Sequence, residues 1–413
     1  MRPVIAHVPR RFTPNSWGGT ESMVAQLARH SSAYGIESAI YTSTALDAVP
    51  QWSCEGIPVR RFPYLYPEWP LSQKRRADYD YKGGNLVSIK LARNLSRLPH
   101  LKLIHLHTAN RLGAQCLNVA QQRKIPCVWT IHGGHFALAQ AVRDDFLRHG
   151  AVKGAIGLPW GRALSWWLGT RTLPTRVDAI VCLNNDEYQA AKSVLPSQRV
   201  RLIPNGIDLR SYDNADRNRG RSRLGVDTSR KLIVNISRLD SVKDQLTLVK
   251  AWRLLNRSDC DLALVGAETT AGYQARCIAE AQGCKGKLIL TGNIPTSDIP
   301  DFYSAADLIV LSSQSETFGL AVIEAWACQR AVISSLTQGP RWLLAEAHAD
   351  TGFPPGDFLA LSQLMNKLLD NPARCQALAD AGAALVRQRY TLDVMVNATL
   401  ELYRELGVRV TSP

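Results

Sequence analysis

No two cysteines form a CxxC pair, although nine are scattered along the 413 residues. This argues against a disulfide framework or a zinc ribbon and fits a reducing, cytoplasmic setting. No apolar run approaches the roughly 18 residues of a membrane-spanning helix. The opening MRPVIAHVPRRF has too short an apolar stretch for a secretory leader. Neither GxGxxG nor GxxxxGKS/T occurs, so the dinucleotide fingerprint and the P-loop are both missing. No short-period repeat is present either. Acidic residues are short in one half only. Residues 1–205 carry 26 Lys and Arg against 12 Asp and Glu, whereas residues 206–413 carry 23 of each. The whole net charge of +14 therefore lies in the first half. Such a half suits an anionic partner: a membrane surface, a nucleic acid or a phosphorylated substrate.

What is present is a repeated rhythm of short apolar runs and amphipathic helical stretches. In the first half PVIAHV, ESAIYTS, LKLIHLH, PCVWTIH and VDAIVCL read as buried strands. In the second half KLIVNIS, DLALVG, KLILTG, DLIVLSS and RAVISS do the same. Alternation of this kind specifies an α/β fold with two Rossmann-like, doubly wound domains. The expected division is residues 1–205 and 206–390, with the last helix, about 391–413, returning to the first domain. The Arg-rich stretch RSYDNADRNRGRSRLG between the halves reads as a linker or exposed loop. Ligands of such sheets bind beyond the carboxyl ends of the strands, so motifs that follow strands carry the functional reading.

Three motifs do so. SWGGTES follows the first strand and opens a helix, where Gly18 and Gly19 let a ligand approach the backbone and helix N–H groups favour an anion. A plain strand-to-helix turn would look the same. NISRLDSVKDQ places Arg238 and Lys243 at the start of a helix in the second half, a planar donor fork and a mobile point charge that together suit a diphosphate. Two solvated surface cations are the bland alternative. SETFGLAVIEAWACQ sets Glu316 in a turn, begins a helix near Phe318, Gly319 and Leu320, and carries Glu324 on the helix. Glu324 is roughly 9–10 Å further along, about the span from a diphosphate to a ribose, and a carboxylate accepts two hydrogen bonds from a vicinal diol. Its neighbours are apolar all round, so it should be buried and in need of partners.

The combination of these motifs resembles a retaining glycosyltransferase of GT-B fold, in the large family numbered four by sequence, also called glycosyl transferases group 1. The likeness spans nearly the whole chain. Glu316 and Glu324 match the E-x7-E signature, Arg238 and Lys243 the basic pair, and WGGTES the glycine-rich loop. LIPNGID (202–208), His105 and His107 in HLH, His132 in TIHGG, and GFPPGD (352–357) fit as well. Two stretches depart from the pattern: residues 267–269 read AET where glycines are usual, and residues 338–346 read QGPRWLLAE in place of GGxPE. The resemblance implies two domains facing a central cleft and a nucleotide-sugar donor, UDP being the commonest nucleotide. It also implies roles: Glu316 on donor-sugar hydroxyls, Glu324 on the ribose, and Arg238 and Lys243 on the leaving diphosphate, with Gly19 and the Phe318–Leu320 backbone assisting. His132 would face the sugar; without the resemblance it reads as a core histidine. His105 and His107, two apart on a strand, hint at a metal, but no acidic third ligand stands near them in sequence, and the expectation is no cofactor and no metal.

The acceptor, a glycan or lipid-linked molecule, belongs with the basic first half. QKRRADYDYKGG (73–84) and LPWGRALSWWLGTRTLPTR (158–176) combine cations with aromatics, a composition suited to peripheral contact with an anionic membrane. An inward-packed helix would account for the tryptophans equally well. The resulting expectation is a sugar transferase of cell-surface polysaccharide or lipopolysaccharide synthesis. Two rivals remain at this level. A sugar-nucleotide epimerase would need an acid/base set, for which only His132 and Glu316 offer themselves. A basic α/β protein binding nucleic acid would be expected to carry a recognisable motif, and none is present.

Overall fold

The structure, a computed structural model, describes residues 2–14, 17–68, 70–137 and 160–411. Ser16, Leu158, Pro159, Ser412 and Pro413, which fall within segments discussed above, lie outside the described residues. The chain forms two compact units, residues 1–203 with 395–413, and residues 204–394. The first boundary thus comes two residues before the expected one, and the return comes at Met395 within the helix Leu392–Glu405.

Among the described residues the first unit has eight strands: β1 (Val4–Val8), β2 (Glu37–Ser43), β3 (Gln51–Cys54), β4 (Ile57–Phe62), β5 (Leu101–Leu106), β6 (Cys127–Ile131), β7 (Ala179–Cys182) and β8 (Val200–Leu202). Their order across the sheet is β3-β4-β2-β1-β5-β6-β7-β8. All pairs are parallel except β3 with β4. The antiparallel pair is a hairpin turned by Glu55 and Gly56, both at positive φ, the geometry a two-residue turn needs to match strand twist. Sequence periodicity did not mark it. Strands β1, β6 and β7 are buried and, apart from His7 in β1 and Thr130 in β6, apolar, as suits strands covered by helices on both faces. Leu91, Leu95, Leu112 and Leu117 supply the helical side of that core.

The second unit carries β9 (Lys231–Ile236), β10 (Cys260–Val265), β11 (Leu288–Leu290), β12 (Leu308–Leu311), β13 (Val332–Ser335) and β14 (Gly352–Phe353). The sheet is wholly parallel in the order β11-β10-β9-β12-β13-β14. The Arg-rich stretch is not a loop. Arg217–Leu224 is a helix capped by Asp216, whose side chain accepts from the Arg219 N–H. Arg221 is 1 % exposed and donates to Asp307 at 2.8 Å, while Arg217 reaches the other oxygen of Asp307 at 2.6 Å. Arg219 grips Asp301 with both arms. Charge pairing across the fold, which composition does not reveal, buries Arg221 and ties down the more exposed Arg217 and Arg219 of the same helix.

Candidate active site

Apart from the β3–β4 hairpin at the edge of the first sheet, the strand order of each sheet reverses once, between β1 and β5 and between β9 and β12. The loops leaving the carboxyl ends at such a reversal diverge and open a crevice. In the second unit those loops are 237–244 and 312–319, and they hold the sequence-derived residues.

The first loop is tightly built. Asp240 is buried and accepts the backbone N–H groups of Val242 and Lys243 at 3.0 and 2.9 Å. Its other oxygen takes the Thr269 hydroxyl at 3.2 Å and stands 3.5 Å from Arg238. The fully buried Gln245 donates to the Ser237 hydroxyl and the Arg238 carbonyl, both at 2.8 Å. Thr269 belongs to the departing AET stretch, and its N–H bonds the Leu239 carbonyl at 3.0 Å; that substitution therefore supports the Arg238 loop. The second loop is laid on the first through Gln314 N–H to the Val242 carbonyl at 2.8 Å and Ser312 hydroxyl to the Lys243 carbonyl at 3.0 Å. The Lys243 ammonium consequently meets the Glu316 carboxylate directly. Each side chain of the pair is about a fifth exposed, so a ligand reaches both. Arg238 leans on Asp240 and is otherwise open to solvent.

The helix that follows runs Leu320–Ala327, two residues later than expected, with Gly319 as its N-cap at φ 90°. No side chain caps it and no acidic residue occupies its first turn, so its N–H groups face the loop as an anion-favouring end. Gly339 of the departing QGPRWLLAE stretch explains how the loop is held. A Cβ there would lie 2.3 Å from the Phe318 Cα, and its N–H bonds the Glu316 carbonyl at 3.1 Å. One glycine of the usual pair is therefore kept where the backbones touch.

Glu324 is half-buried rather than enclosed. Its carboxylate accepts the Tyr303 hydroxyl at 2.7 Å and a second phenol, from Tyr212. Burial pushes its pKa up from the usual value, and the two phenols oppose that shift. A carboxylate has about four acceptor positions, so two donors leave room for a diol. Sequence reasoning missed Tyr212 and Tyr303; they are remote in sequence, and no spacing rule connects them to Glu324.

In the first unit, Gly18 is the N-cap and Gly19 the first residue of the helix Gly19–Ser31. That N-terminus already holds a carboxylate: Glu21 is buried in its first turn and lies 3.7 Å from Arg11, so an anion arriving there meets a negative neighbour. His132 follows β6. Its Nε2 bonds His107 Nδ1 at 2.9 Å, and His107 Nε2 bonds His7 Nδ1 at 3.1 Å. Parallel register sets His7 of β1 beside His105 of β5. His105 spends both ring nitrogens, on Tyr403 at 2.6 Å and Thr130 at 2.7 Å. Burial holds all four imidazoles neutral, pulling His7 down to about 3 and His132 to about 4. The three atoms that His7, His105 and His107 could offer a metal lie within 4.8 Å of one another. The loop after His132 is anchored by Glu187, which accepts the N–H groups of His135 and Ala137 at 2.7 and 3.1 Å.

Two parallel-sheet domains with this crevice chemistry define a GT-B glycosyltransferase. The likeness to solved structures is extensive in fold. Sucrose-phosphate synthase from Thermosynechococcus elongatus superposes with a TM-score of 0.74 at 19 % identity, covering 98 % of this chain and 99 % of that one. Anabaena HepE in complex with UDP-glucose gives 0.71 at 18 % identity over 97 % and 99 %. Residues 17–211 match the model of Glycosyltransferase Family 4 and residues 216–384 that of Glycosyl transferases group 1, and the chain belongs to this family. Among characterised relatives, D-inositol 3-phosphate glycosyltransferase 1 of Catenulispora acidiphila is 24 % identical over 402 residues, 94 % of this chain and 90 % of that protein. The chain is thus a sugar transferase that uses a nucleotide-sugar donor.

Proposed function

We propose that the enzyme is a retaining transferase that moves a sugar from a UDP-sugar to a hydroxyl of a glycan or lipid-linked acceptor, without a metal, at the cytoplasmic face of the membrane during cell-surface polysaccharide or lipopolysaccharide synthesis. The observation that carries this reading is the joining of Lys243 to Glu316 at the strand-order reversal, beside an uncapped helix that bears Glu324. Arg238, Lys243 and the N–H groups of the helix start take the charge that develops on the departing diphosphate. Preorganised donors in such a place are worth several kcal/mol, about 3 for a single one. Glu324, steadied by its two tyrosines, takes the ribose hydroxyls, and Glu316 and His132 take sugar hydroxyls. Retention follows if the acceptor attacks the face the phosphate leaves, with a phosphate oxygen receiving the acceptor's proton. HepE holds UDP-glucose in its complex, which favours UDP here.

The test is calorimetry with UDP, GDP and ADP in the presence of a chelator, on the wild type and on Glu324→Ala. Selective UDP binding that weakens at least tenfold in the variant supports the reading. No nucleotide binding by the folded wild type overturns it. Product NMR then decides retention, by whether the new linkage keeps the donor's anomeric configuration.

The membrane part rests on the helix Trp160–Leu168. Trp160, Trp166 and Trp167 are 66, 83 and 73 % exposed, so among the described residues they do not pack inward. Exposed Arg162 and Arg171 accompany them. Aromatics at headgroup depth beside cations suit an anionic surface. Flotation with phosphatidylglycerol vesicles at physiological salt should carry the protein upward and should fail for Trp166→Ser/Trp167→Ser. Absence of flotation by the wild type contradicts this part alone.

A further inference from the structure

The imidazoles of His7, His107 and His132 form one chain of two ring-to-ring hydrogen bonds. Proton counting fixes more than their positions. Each neutral ring carries one N–H, which makes one nitrogen a donor and the other an acceptor. The middle ring, His107, therefore passes the polarity on unchanged, and both links point the same way. Three rings supply three N–H groups and two links consume two, so the third sits at one end, on His7 Nε2 or on His132 Nδ1.

The two ends are not equivalent. His7 is 0 % exposed and its Nε2 is buried without a hydrogen-bond partner. His132 is half-buried, and no partner for its Nδ1 is found among the described residues. An interior N–H with no acceptor is among the costliest polar defects, and a bare ring nitrogen is the milder one. The proton is thus driven to the open end. Burial keeps the rings neutral, so no extra proton blurs the count.

We propose that His7, acting through His107, is a positioning residue that holds His132 in the tautomer with its proton on Nδ1, so that His132 offers a ligand a hydrogen-bond donor and not an acceptor. The tautomer follows from the first unit alone. That the ligand is an oxygen of the donor sugar rests on the function proposed above. The competing use of the cluster, a metal held by His7, His105 and His107, is opposed by His105, whose two nitrogens are already engaged.

The experiment is a long-range proton–nitrogen correlation spectrum of histidine-labelled, ligand-free enzyme, with His132 assigned by its loss in His132→Asn. The wild type should show His132 protonated at Nδ1 and bare at Nε2, the reverse of the form free histidine favours. His7→Phe removes the donor at the head of the chain and should let His132 revert to the Nε2-protonated form. His7→Asn keeps an N–H near the place of Nδ1 and should preserve the wild-type pattern. In steady state His7→Phe should raise the donor KM about tenfold while UDP affinity is unchanged. A wild-type His132 protonated at Nε2, or averaging between both forms, overturns the proposal even if His7→Phe fails to fold. So does an unaltered pattern in a folded His7→Phe, or stoichiometric metal in the purified protein. The correct tautomer in a protein that binds no nucleotide leaves the relay standing and removes the function assigned to it.

Discussion

Lys243 pairs directly with Glu316, so a diphosphate must compete with a carboxylate for the ammonium. Removing the charge of Glu316 should then act in opposite directions on binding and turnover. Glu316→Gln should bind UDP about three- to tenfold more tightly, the value of a partly exposed ion pair of roughly 1 kcal/mol, and should transfer sugar far more slowly. Lys243→Ala should lose both, by about a hundredfold in kcat/KM. Calorimetry paired with initial rates reads the two effects separately. At Glu324 the question is orientation. Tyr303→Phe removes a 2.7 Å bond that aims the carboxylate, and a fall in UDP affinity of about tenfold is expected for one charge-assisted bond of roughly 1.5 kcal/mol. An unchanged isotherm would mean that the phenol serves the fold only.

At the scale of elements, the crevice depends on the start of the helix Leu320–Ala327 touching that of the helix Gln338–Glu346. Gly319 sits at φ 90°, and a Cβ there would come 3.0 Å from Pro340. Gly339 leaves no room at all against the Phe318 backbone. Gly319→Ala should cost about 1 kcal/mol from backbone strain, measured by thermal melting, whereas Gly339→Ala should displace the Glu316–Phe318 loop and abolish nucleotide binding at a temperature where the protein is still folded. The parallel strands were legible in the sequence because buried strands leave short apolar runs, and the start of the helix Leu320–Ala327 was read to within two residues, whereas the helix Gln338–Glu346 was not singled out. The basic pair and the two glutamates were legible because each follows such a run. What escaped has physical reasons. The β3–β4 hairpin is short, and Glu55–Gly56 is a weaker signal than Asn-Gly. The helix Arg217–Leu224 looks solvated until Asp301 and Asp307 arrive from far along the chain. Tyr212, Tyr303 and the histidine chain are likewise assembled by long-range pairing, to which periodicity is blind.

On the scale of the molecule, the four buried imidazoles set a pH limit. Their pKa values are depressed in the fold, to about 3 for His7 and about 4 for His132, while an unfolded histidine titrates near 6.5. The unfolded chain binds more protons across that window, so stability rises with pH through it and is lost as pH falls below 6.5. Each fully depressed histidine contributes about 1.4 kcal/mol per pH unit. Glu324, raised by burial, works in the other sense: its contribution is intact in acid and is lost as pH rises through its folded value. One carboxyl against four imidazoles leaves the histidines dominant. Hydrogen exchange at pH 7, 6 and 5 should find residues 1–203 opening earlier than residues 204–394 as acid is added; equal protection in both would contradict this.

Tyr403 closes one of those imidazoles, and it lies in the segment that returns to the first unit after the second has been made. The order of synthesis therefore differs from the order of assembly. On the ribosome the first sheet emerges with His105 lacking its phenol and must wait, incomplete, through translation of an entire second domain. A nascent chain halted at Ile203 should remain sensitive to protease, and a peptide spanning residues 391–411 supplied in trans should protect it. Chaperone occupancy during that interval would then govern yield more than the stability of the finished enzyme.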